Sequence, residues 1–459
     1  MIKHKISNGI YFIPQKRAIC VLSNNSSIDN NDINNIIEKY VPPVIPYNSA
    51  PNNSNSGHFV PLHIDIFPTY ECNLRCKYCY AGTGDFNPRS LSQKQIDTIL
   101  KELSKTARMK YLCTGMKEKV DAEIMFAGGG EPTCKWDIFE YAIEQSKKMS
   151  KEYNYNVNLG LVTNGFIYDS KKIKYICDNF KYIQVSVDGL ACDQDFHRPT
   201  AESGSSSEIV YDFIRKCSES GKKVGLRMTV SDYTVANLSK SIEFFAREFP
   251  MVSHVQVEPL SINNKSKKNE LNPPNAEIFV EEYFKSLQVG RKERIGVISS
   301  VANFFSIRHN DSFCDAVLGN SLILNPDGYL TTCYEASTEV EEVSTDFFSG
   351  KIDHEGNVTW YNTFSRHQKP TDSCKQCIAW EFCKGGCVAS MLRSEENRKY
   401  HCSITKAIFR KVLLEIAYNL NANLNFSMTV VNWPSEKIKQ LIYWTEEGNI
   451  TKLKLANIG

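Results

Sequence analysis

Short apolar runs alternate with longer amphipathic stretches through the middle of this chain. The runs are "LHIDIF", "EIMFAG", "VNLGLVTNG", "YIQVSVDG", "VGLRMTVS" and "HVQVEPL", beginning near residues 62, 123, 157, 182, 224 and 254. Each is rich in Val, Ile or Leu and is bounded by Gly, Asn or Pro, as buried strands are. Between them the apolar residues recur at helical spacing. "LSQKQIDTILKELSKTA" begins with Ser92 as a cap ahead of Ile96, Ile99, Leu100 and Leu103. "WDIFEYAIEQSKKM" and "VANLSKSIEFFAREF" repeat the pattern. This repeated strand–helix alternation predicts an α/β fold with a parallel sheet wound right-handedly. Chemistry on such a sheet gathers at the C-terminal ends of the strands. The unusual stretches fall there: Cys72 after the first strand, "GGGEP" after the second, "TNG" after the third and "SVDG" after the fourth.

The ends of the chain read differently. Residues 1–42 predict two strands, "GIYFIPQ" and "RAICVLS", and a helix, "DINNIIEKY". Residues 43–60 are rich in Pro, Asn and Ser and have the composition of a linker. Residues 61–300 hold the strand–helix repeats, residues 301–405 a second group of cysteines, and residues 406–459 a tail expected to be helical.

Composition narrows the class. Lys and Arg number 54 against 52 Asp and Glu, a net charge of +2 that supports neither a nucleic-acid nor a membrane partner. The start, "MIKHKISNGIYFIPQKRAIC", lacks the apolar core and cleavage site of a signal peptide, and no stretch approaches a membrane span. A cytoplasmic protein is expected. Its 16 cysteines are concentrated in two regions, which favours metal binding over disulfides.

The first region is "PTYECNLRCKYCYAG", where Cys72, Cys76 and Cys79 are spaced C-x3-C-x2-C. A cuboidal 4Fe–4S cluster has four irons that each need an outer ligand, ordinarily a thiolate. Three cysteines leave one iron for a small molecule carrying an amine and a carboxylate. A zinc loop would call for a fourth Cys or His, and none lies between Cys79 and Cys113. The stretch resembles the signature of the radical S-adenosylmethionine (SAM) enzymes, including the aromatic Tyr78 before the last cysteine. The resemblance covers roughly residues 62–300 and implies a partial (β/α)6 TIM-like barrel. It also implies a reduced cluster that cleaves SAM to a 5′-deoxyadenosyl radical, with a flavodoxin or ferredoxin-type electron donor. "AGGGEPT" resembles the family's GGE motif, which implies that Gly129 and Gly130 approach the SAM methionine and that Glu131 accepts from its ammonium. By the same resemblance Ser186 in "VSVDG" contacts the ribose or carboxylate, Arg198 in "FHRPT" the carboxylate, and Leu260 the adenine. Arg198 also reads as a surface arginine and Leu260 as plain core.

Seven cysteines follow. Cys314 precedes "NPDGYLTTCY", in which Gly328 and Cys333 are spaced G-x4-C. Then come Cys374, Cys377, Cys383 and Cys387, spaced C-x2-C-x5-C-x3-C, and finally Cys402. A zinc ribbon accounts for the two close pairs but not for Cys314, Cys333 and Cys402. The set resembles the SPASM domain of radical SAM enzymes that modify peptides. That resemblance implies two auxiliary 4Fe–4S clusters, three in all. One would be held by Cys374, Cys377, Cys383 and Cys402. The other would be held by Cys314, Cys333 and Cys387, with one iron open or filled by His309 or Asp311, both of which also read as solvated loop residues.

Radical SAM plus SPASM implies a precursor peptide as partner. Sulfatase maturases, which make formylglycine, carry an aspartate base just after the cysteine equivalent to Cys333. Here Tyr334 stands there, followed by Glu335, and these two are the weak catalytic candidates. The leading expectation is a maturase of ribosomally made peptides that forms a thioether or carbon–carbon crosslink. A formylglycine-forming sulfatase maturase, or another peptide oxidase or epimerase, is the alternative. A non-catalytic zinc-binding adaptor is the alternative of another class. Residues 1–42 are read either as a leader-binding module that adds a peptide strand along "RAICVLS" or as a cap on the barrel.

Overall fold

A computed structural model describes residues 4–7, 10–13, 18–22, 60–84, 88–115, 118–305, 313–318, 322–336, 347–361, 372–421 and 428–432. Three short strands come first: β1 (His4–Ser7), β2 (Ile10–Ile13) and β3 (Ala18–Leu22). The six apolar runs then form β4 (His63–Ile66), β5 (Asp121–Phe126), β6 (Asn156–Thr163), β7 (Tyr182–Ser186), β8 (Val224–Val230) and β9 (Val252–Pro259). Each pairs in parallel with the next. This is the parallel α/β arrangement that the repeats predict and the partial barrel that the resemblance implies.

The helices lie where the periodicity puts them. Gln93–Thr114 is capped by Ser92, whose hydroxyl accepts from the Gln95 N–H while the Gln95 side chain returns to Ser92, a reciprocal capping box. Its stripe of Ile96, Ile99, Leu100 and Leu103 is buried on the sheet. Helices Trp136–Glu152 and Ser170–Asn179 cover β5 and β6 around a cluster in which Phe126, Phe139 and Phe180 meet at ring distances of 5.3–5.7 Å. Each fully buried Phe contributes about 1.5–3 kcal/mol by removal from water.

Strand alternation assigns the two faces. On β4, Ile64 and Ile66 join the helix-facing core, and on β7 Ile183 and Val185 do. The intervening Asp65, Gln184 and Ser186 therefore line the barrel lumen, as Arg227 on β8 and Gln256 and Glu258 on β9 do.

The sheet is wider than the six repeats predict. β10 (Gly296–Ile298) pairs in parallel with β9. On the other side β11 (Leu322–Leu324) pairs in parallel with β4, and β12 (Tyr329–Thr331), β13 (Phe348–Ile352) and β14 (Val358–Trp360) continue it antiparallel. The cysteine-rich extension thus shares the barrel's sheet. Its register places Ile323 opposite Asp65 and delivers Cys333, two residues past β12, to the barrel mouth. Asn397 ties the extension to the loop after β9. Its side chain accepts from the Ile262 N–H at 2.8 Å and donates to the Ile262 carbonyl at 2.8 Å.

Two expectations for the ends are corrected. The tail is not wholly helical: helix Glu395–Asn421 crosses the boundary expected at residue 405 and is followed by β15 (Met428–Asn432). β15 pairs antiparallel with β3 in a four-stranded sheet ordered β1-β2-β3-β15. Strand β3, the core of "RAICVLS", is therefore an inner strand with both edges occupied, so a leader peptide cannot add there. Local periodicity could not reveal this, because the pairing partner lies at the far end of the chain. The helix expected at "DINNIIEKY", the linker up to residue 59, and the candidates His309 and Asp311 lie outside the described residues.

Candidate active site

The cysteine loop leaves β4 at the top of the barrel and is held by backbone contacts from several directions. Arg75 N–H donates to the Pro199 carbonyl at 2.8 Å, Lys77 N–H to that of His197 at 2.9 Å, and Ala201 N–H to that of Asn73 at 3.0 Å. From the other side Asn263 Nδ2 donates to the Tyr78 carbonyl at 3.0 Å and Lys265 Nζ to that of Thr83 at 2.8 Å. A loop fixed in this way can present thiols without reorganising, which lowers the entropic cost of binding a cofactor.

Cys72, Cys76 and Cys79 are brought together. Burial and the charge of Cys76 push the Cys72 thiol well above its usual range, and burial lifts Cys76 to about 11. Side-chain donors face these sulfurs: Asn164 Nδ2 lies 3.8 Å from Cys72 Sγ, and Arg198 Nη1 lies 3.9 Å from Cys76 Sγ.

The glycine turn after β5 packs against the base of this loop. A Cβ on Gly130 would stand 2.3 Å from the Glu71 carbonyl oxygen, and one on Gly129 would stand 2.3 Å from the Tyr70 ring. Only glycine permits that approach. Glu131 is 2% exposed and its carboxylate is engaged by protein donors. Oε1 accepts from Thr133 N–H at 3.2 Å, Thr133 Oγ1 at 2.8 Å and Thr163 Oγ1 at 2.8 Å, and Oε2 accepts from Asn164 N–H at 2.7 Å. Burial raises its pKa, and these donors oppose the rise. Glu131 therefore staples the glycine turn to the end of β6. These donors come from Thr133, Thr163 and Asn164.

Ser186 ends β7 opposite Arg227 and is half-buried on the lumen side. Leu260 follows β9, buried beneath the mouth, with its N–H donating to the Val230 carbonyl at 2.8 Å. Arg198 is buried, not a surface arginine. Its partner is Asp188, a fully buried carboxylate that the sequence reading quoted in "VSVDG" but assigned no role. Asp188 also accepts from the Tyr78 hydroxyl, from His197 Nδ1 at 3.2 Å and from the Thr229 N–H at 2.9 Å.

The seven later cysteines fall into two groups by the charges that act on each thiol. Cys383, lifted to about 12 chiefly by burial, also feels Cys402, Cys377 and Cys374. Cys333 is raised by burial, Glu335, Cys387 and Cys314. Burial, Glu335 and Cys314 lift Cys387 to about 12. Among the described residues no three Cys, His, Asp or Glu groups are close enough to hold a single metal ion between them. The sets are therefore defined by mutual electrostatic influence, not by convergence on one point. Soft thiols, buried and repelling one another, are held as thiolates only by a cationic group among them. These donor sets fit iron–sulfur clusters.

Tyr334, immediately after Cys333, reaches across the mouth to hydrogen-bond Asp65 on β4, and its ring lies 5.4 Å from that of Phe67. Burial of the hydroxyl end and the Asp65 carboxylate push this phenol well above its ordinary range. Asp65 is fully buried, with its other oxygen 3.5 Å from His63 Nε2. Glu335 turns the other way, into an ion pair with Arg393 at 2.6 Å. Deeper in the lumen Gln184 Nε2 donates to Gln256 Oε1 at 3.1 Å, and Gln256 Nε2 to Glu258 Oε1 at 2.8 Å. Sequence reasoning missed Asp65, although a charged residue inside an apolar run, at period two from its buried neighbours, was the available signal.

A three-cysteine loop at the first strand of a parallel barrel, with a glycine turn at the second, is the arrangement that the radical SAM resemblance implies. Residues 66–245 match the model of the Radical SAM superfamily, and the chain carries a radical SAM domain. The chain is similar to the cysteine-type anaerobic sulfatase-maturating enzyme of Clostridium novyi (strain NT), 23% identical over 382 residues, covering 76% of this chain and 94% of that one. Among solved structures it resembles native anSMEcpe with bound AdoMet and Kp18Cys peptide (TM-score 0.58, 17% identity, 78% of this chain and 99% of that chain). It also resembles Streptococcus suis SuiB bound to precursor peptide SuiA (TM-score 0.53, 12% identity, 86% and 98%). Among the described residues no helix is long and apolar enough to cross a membrane.

Proposed function

We propose that this radical SAM enzyme modifies a ribosomally made precursor peptide in the cytoplasm, forming a thioether or carbon–carbon crosslink, with a flavodoxin or ferredoxin-type protein as electron donor. When bound, SAM and the cluster at Cys72, Cys76 and Cys79 supply the radical that removes hydrogen from the substrate. The chain's own residues bind and orient the peptide. The amide ladder of Gln184 and Gln256, closed by Glu258, offers donors and acceptors complementary to peptide backbone. Arg227 adds a cation on the same lumen wall. SPASM-like clusters at Cys314, Cys333 and Cys387 and at Cys374, Cys377, Cys383 and Cys402 would stand beside this lumen. Peptide-bound relatives of the same fold support a peptide in it.

The observation that carries the reading is the pair Tyr334–Asp65 at the mouth. The residue after Cys333 is a phenol, not a carboxylate, and Glu335 is committed to Arg393. Among the described residues the carboxylate that meets Tyr334 comes from β4. Asp65 would accept the substrate proton through Tyr334. That same carboxylate supports the second reading, a formylglycine-forming or other peptide oxidase. The zinc-adaptor alternative gives way to the radical SAM domain.

Co-expression with small open reading frames beside the gene, followed by mass spectrometry, tests the proposal. A product that has lost two hydrogens and resists alkylation at a cysteine supports a thioether. An aldehyde in place of a cysteine or serine side chain would establish the oxidase reading instead. Iron analysis tests the cofactor count. Three clusters predict about twelve irons per chain in anaerobically reconstituted enzyme. A plateau near four irons with bound zinc would remove the auxiliary clusters.

A further inference from the structure

We propose that Asp188 is the positioning residue of the SAM-cleaving centre: its carboxylate fixes the cluster loop to the barrel and aims the Arg198 guanidinium at Cys76. The inference rests on the radical SAM class and not on the peptide reading. Asp188 sits just past β7, fully buried, where an uncompensated carboxylate could not remain ionised. It is compensated from three segments. Tyr78 comes from the cluster loop, the Thr229 N–H from β8, and His197 and Arg198 from the end of helix Ala191–His197. Burial alone would raise its pKa, but the Arg198 and His197 charges outweigh that and hold it below the usual carboxylate range. His197 is itself locked, with Nε2 2.9 Å from Ser231 Oγ.

The geometry assigns each nitrogen of Arg198. Nε donates to Asp188 Oδ2 at 2.9 Å and Nη2 to Oδ1 at 3.3 Å, a two-point grip that sets the plane of the guanidinium. Nη1 is left 3.9 Å from Cys76 Sγ. The cation also lies 5.4 Å from the centre of the Tyr78 ring. One carboxylate thus holds the aromatic residue of the cysteine loop and the cation beside a cluster sulfur. A cation and donor at a cluster thiolate favour the reduced state. Asp188 tunes the cluster's potential through Arg198 and anchors its loop through Tyr78.

Charge bookkeeping makes this testable with SAM as the only ligand. If Asp188 were a bystander charge, Asp188→Asn would remove a negative charge and make the cluster easier to reduce. If Asp188 aims Arg198, the released guanidinium leaves Cys76 and the midpoint potential moves negative, as in Arg198→Gln. Potentiometric titration of the reconstituted proteins without peptide is expected to show this negative shift in both. SAM affinity by calorimetry should fall about tenfold in each, and the double variant should be no weaker than Arg198→Gln alone. A positive shift in Asp188→Asn, or additive losses, overturns the proposal. Should Asp188→Asn fail to fold, Arg198→Lys carries the test. It keeps the charge but cannot make the two-point grip, so it too should bind SAM about tenfold more weakly. Wild-type affinity and potential in Arg198→Lys would sink the idea. A wild-type protein that did not cleave SAM would overturn the class itself, a different failure.

Discussion

Replacing Cys72, Cys76 and Cys79 together by alanine is expected to abolish reductive cleavage of SAM. The three thiols lie on one loop whose backbone is pinned by segments 197–201 and 263–269, so neither side of the loop can shift to recruit a substitute ligand. Cys134 is not such a substitute. It belongs to the turn after Glu131, and burial lifts its thiol to about 12. The later cysteines influence one another and form separate sets. The triple variant should therefore keep most of its remaining iron while losing all 5′-deoxyadenosine formation, measured by chromatography after dithionite reduction. Continued production of 5′-deoxyadenosine by the triple variant would refute the assignment of this loop. Loss of all iron would instead make it the folding nucleus for every cluster.

Glu131→Ala is expected to have the next largest effect, on stability and on the site together. The carboxylate satisfies two backbone N–H groups and two hydroxyls, all in a region closed to water. Removing it leaves those donors buried without partners, at about 1–3 kcal/mol for each that water cannot reach. Allowing for partial relaxation, a loss of about 3 kcal/mol or more is expected. The damage also reaches the cluster. Asn164, whose N–H Glu131 holds, points Nδ2 at Cys72 and at Asn73 Oδ1, 2.8 Å away. Glu131→Gln keeps the size and one acceptor oxygen, but its amide would point a donor at another donor. It should fall between wild type and alanine. Thermal melts of the apo-proteins measure the stability change, and iron retention measures the effect on the loop. If Glu131→Ala melts like wild type but no longer binds SAM, the carboxylate is a ligand for SAM and not a structural staple.

The elements that were legible share one property: their signals are local. Ile64, Ile66, Ile183 and Val185 mark strands because alternation and β-branched residues act over a few positions. Ser92 announces a helix just ahead of its first apolar residues. The cysteine spacing marks a cluster loop because its ligands share one turn. The parts that local signals left open are those whose outcome depends on a distant partner. Strand β3 resembles an edge strand until β15 pairs with it. Glu131 carries no local sign of the Thr163 and Asn164 donors that β6 brings beside it. Arg198 reads either as a SAM contact or as a surface arginine, and only the fold shows it buried against Asp188.

The sequence by itself determined the strand–helix alternation, the position of the cysteine loop after the first strand, and the spacing of the later cysteines. Hydrophobic period and ligand spacing are properties of short segments, so they survive without knowledge of the fold. Only the tertiary structure decided what the polar residues do. Tyr334 and Asp65 are 269 positions apart, and Tyr78 and Asp188 are 110 apart. Sheet order brings each pair together: β11 beside β4 in the first case, and the turn just past β7, which holds Asp188, beside the cluster loop in the second. An aspartate in a sequence reads as surface by default, because a charge is buried only when the fold supplies its partners. Those partners come from other strands, and local sequence does not name them.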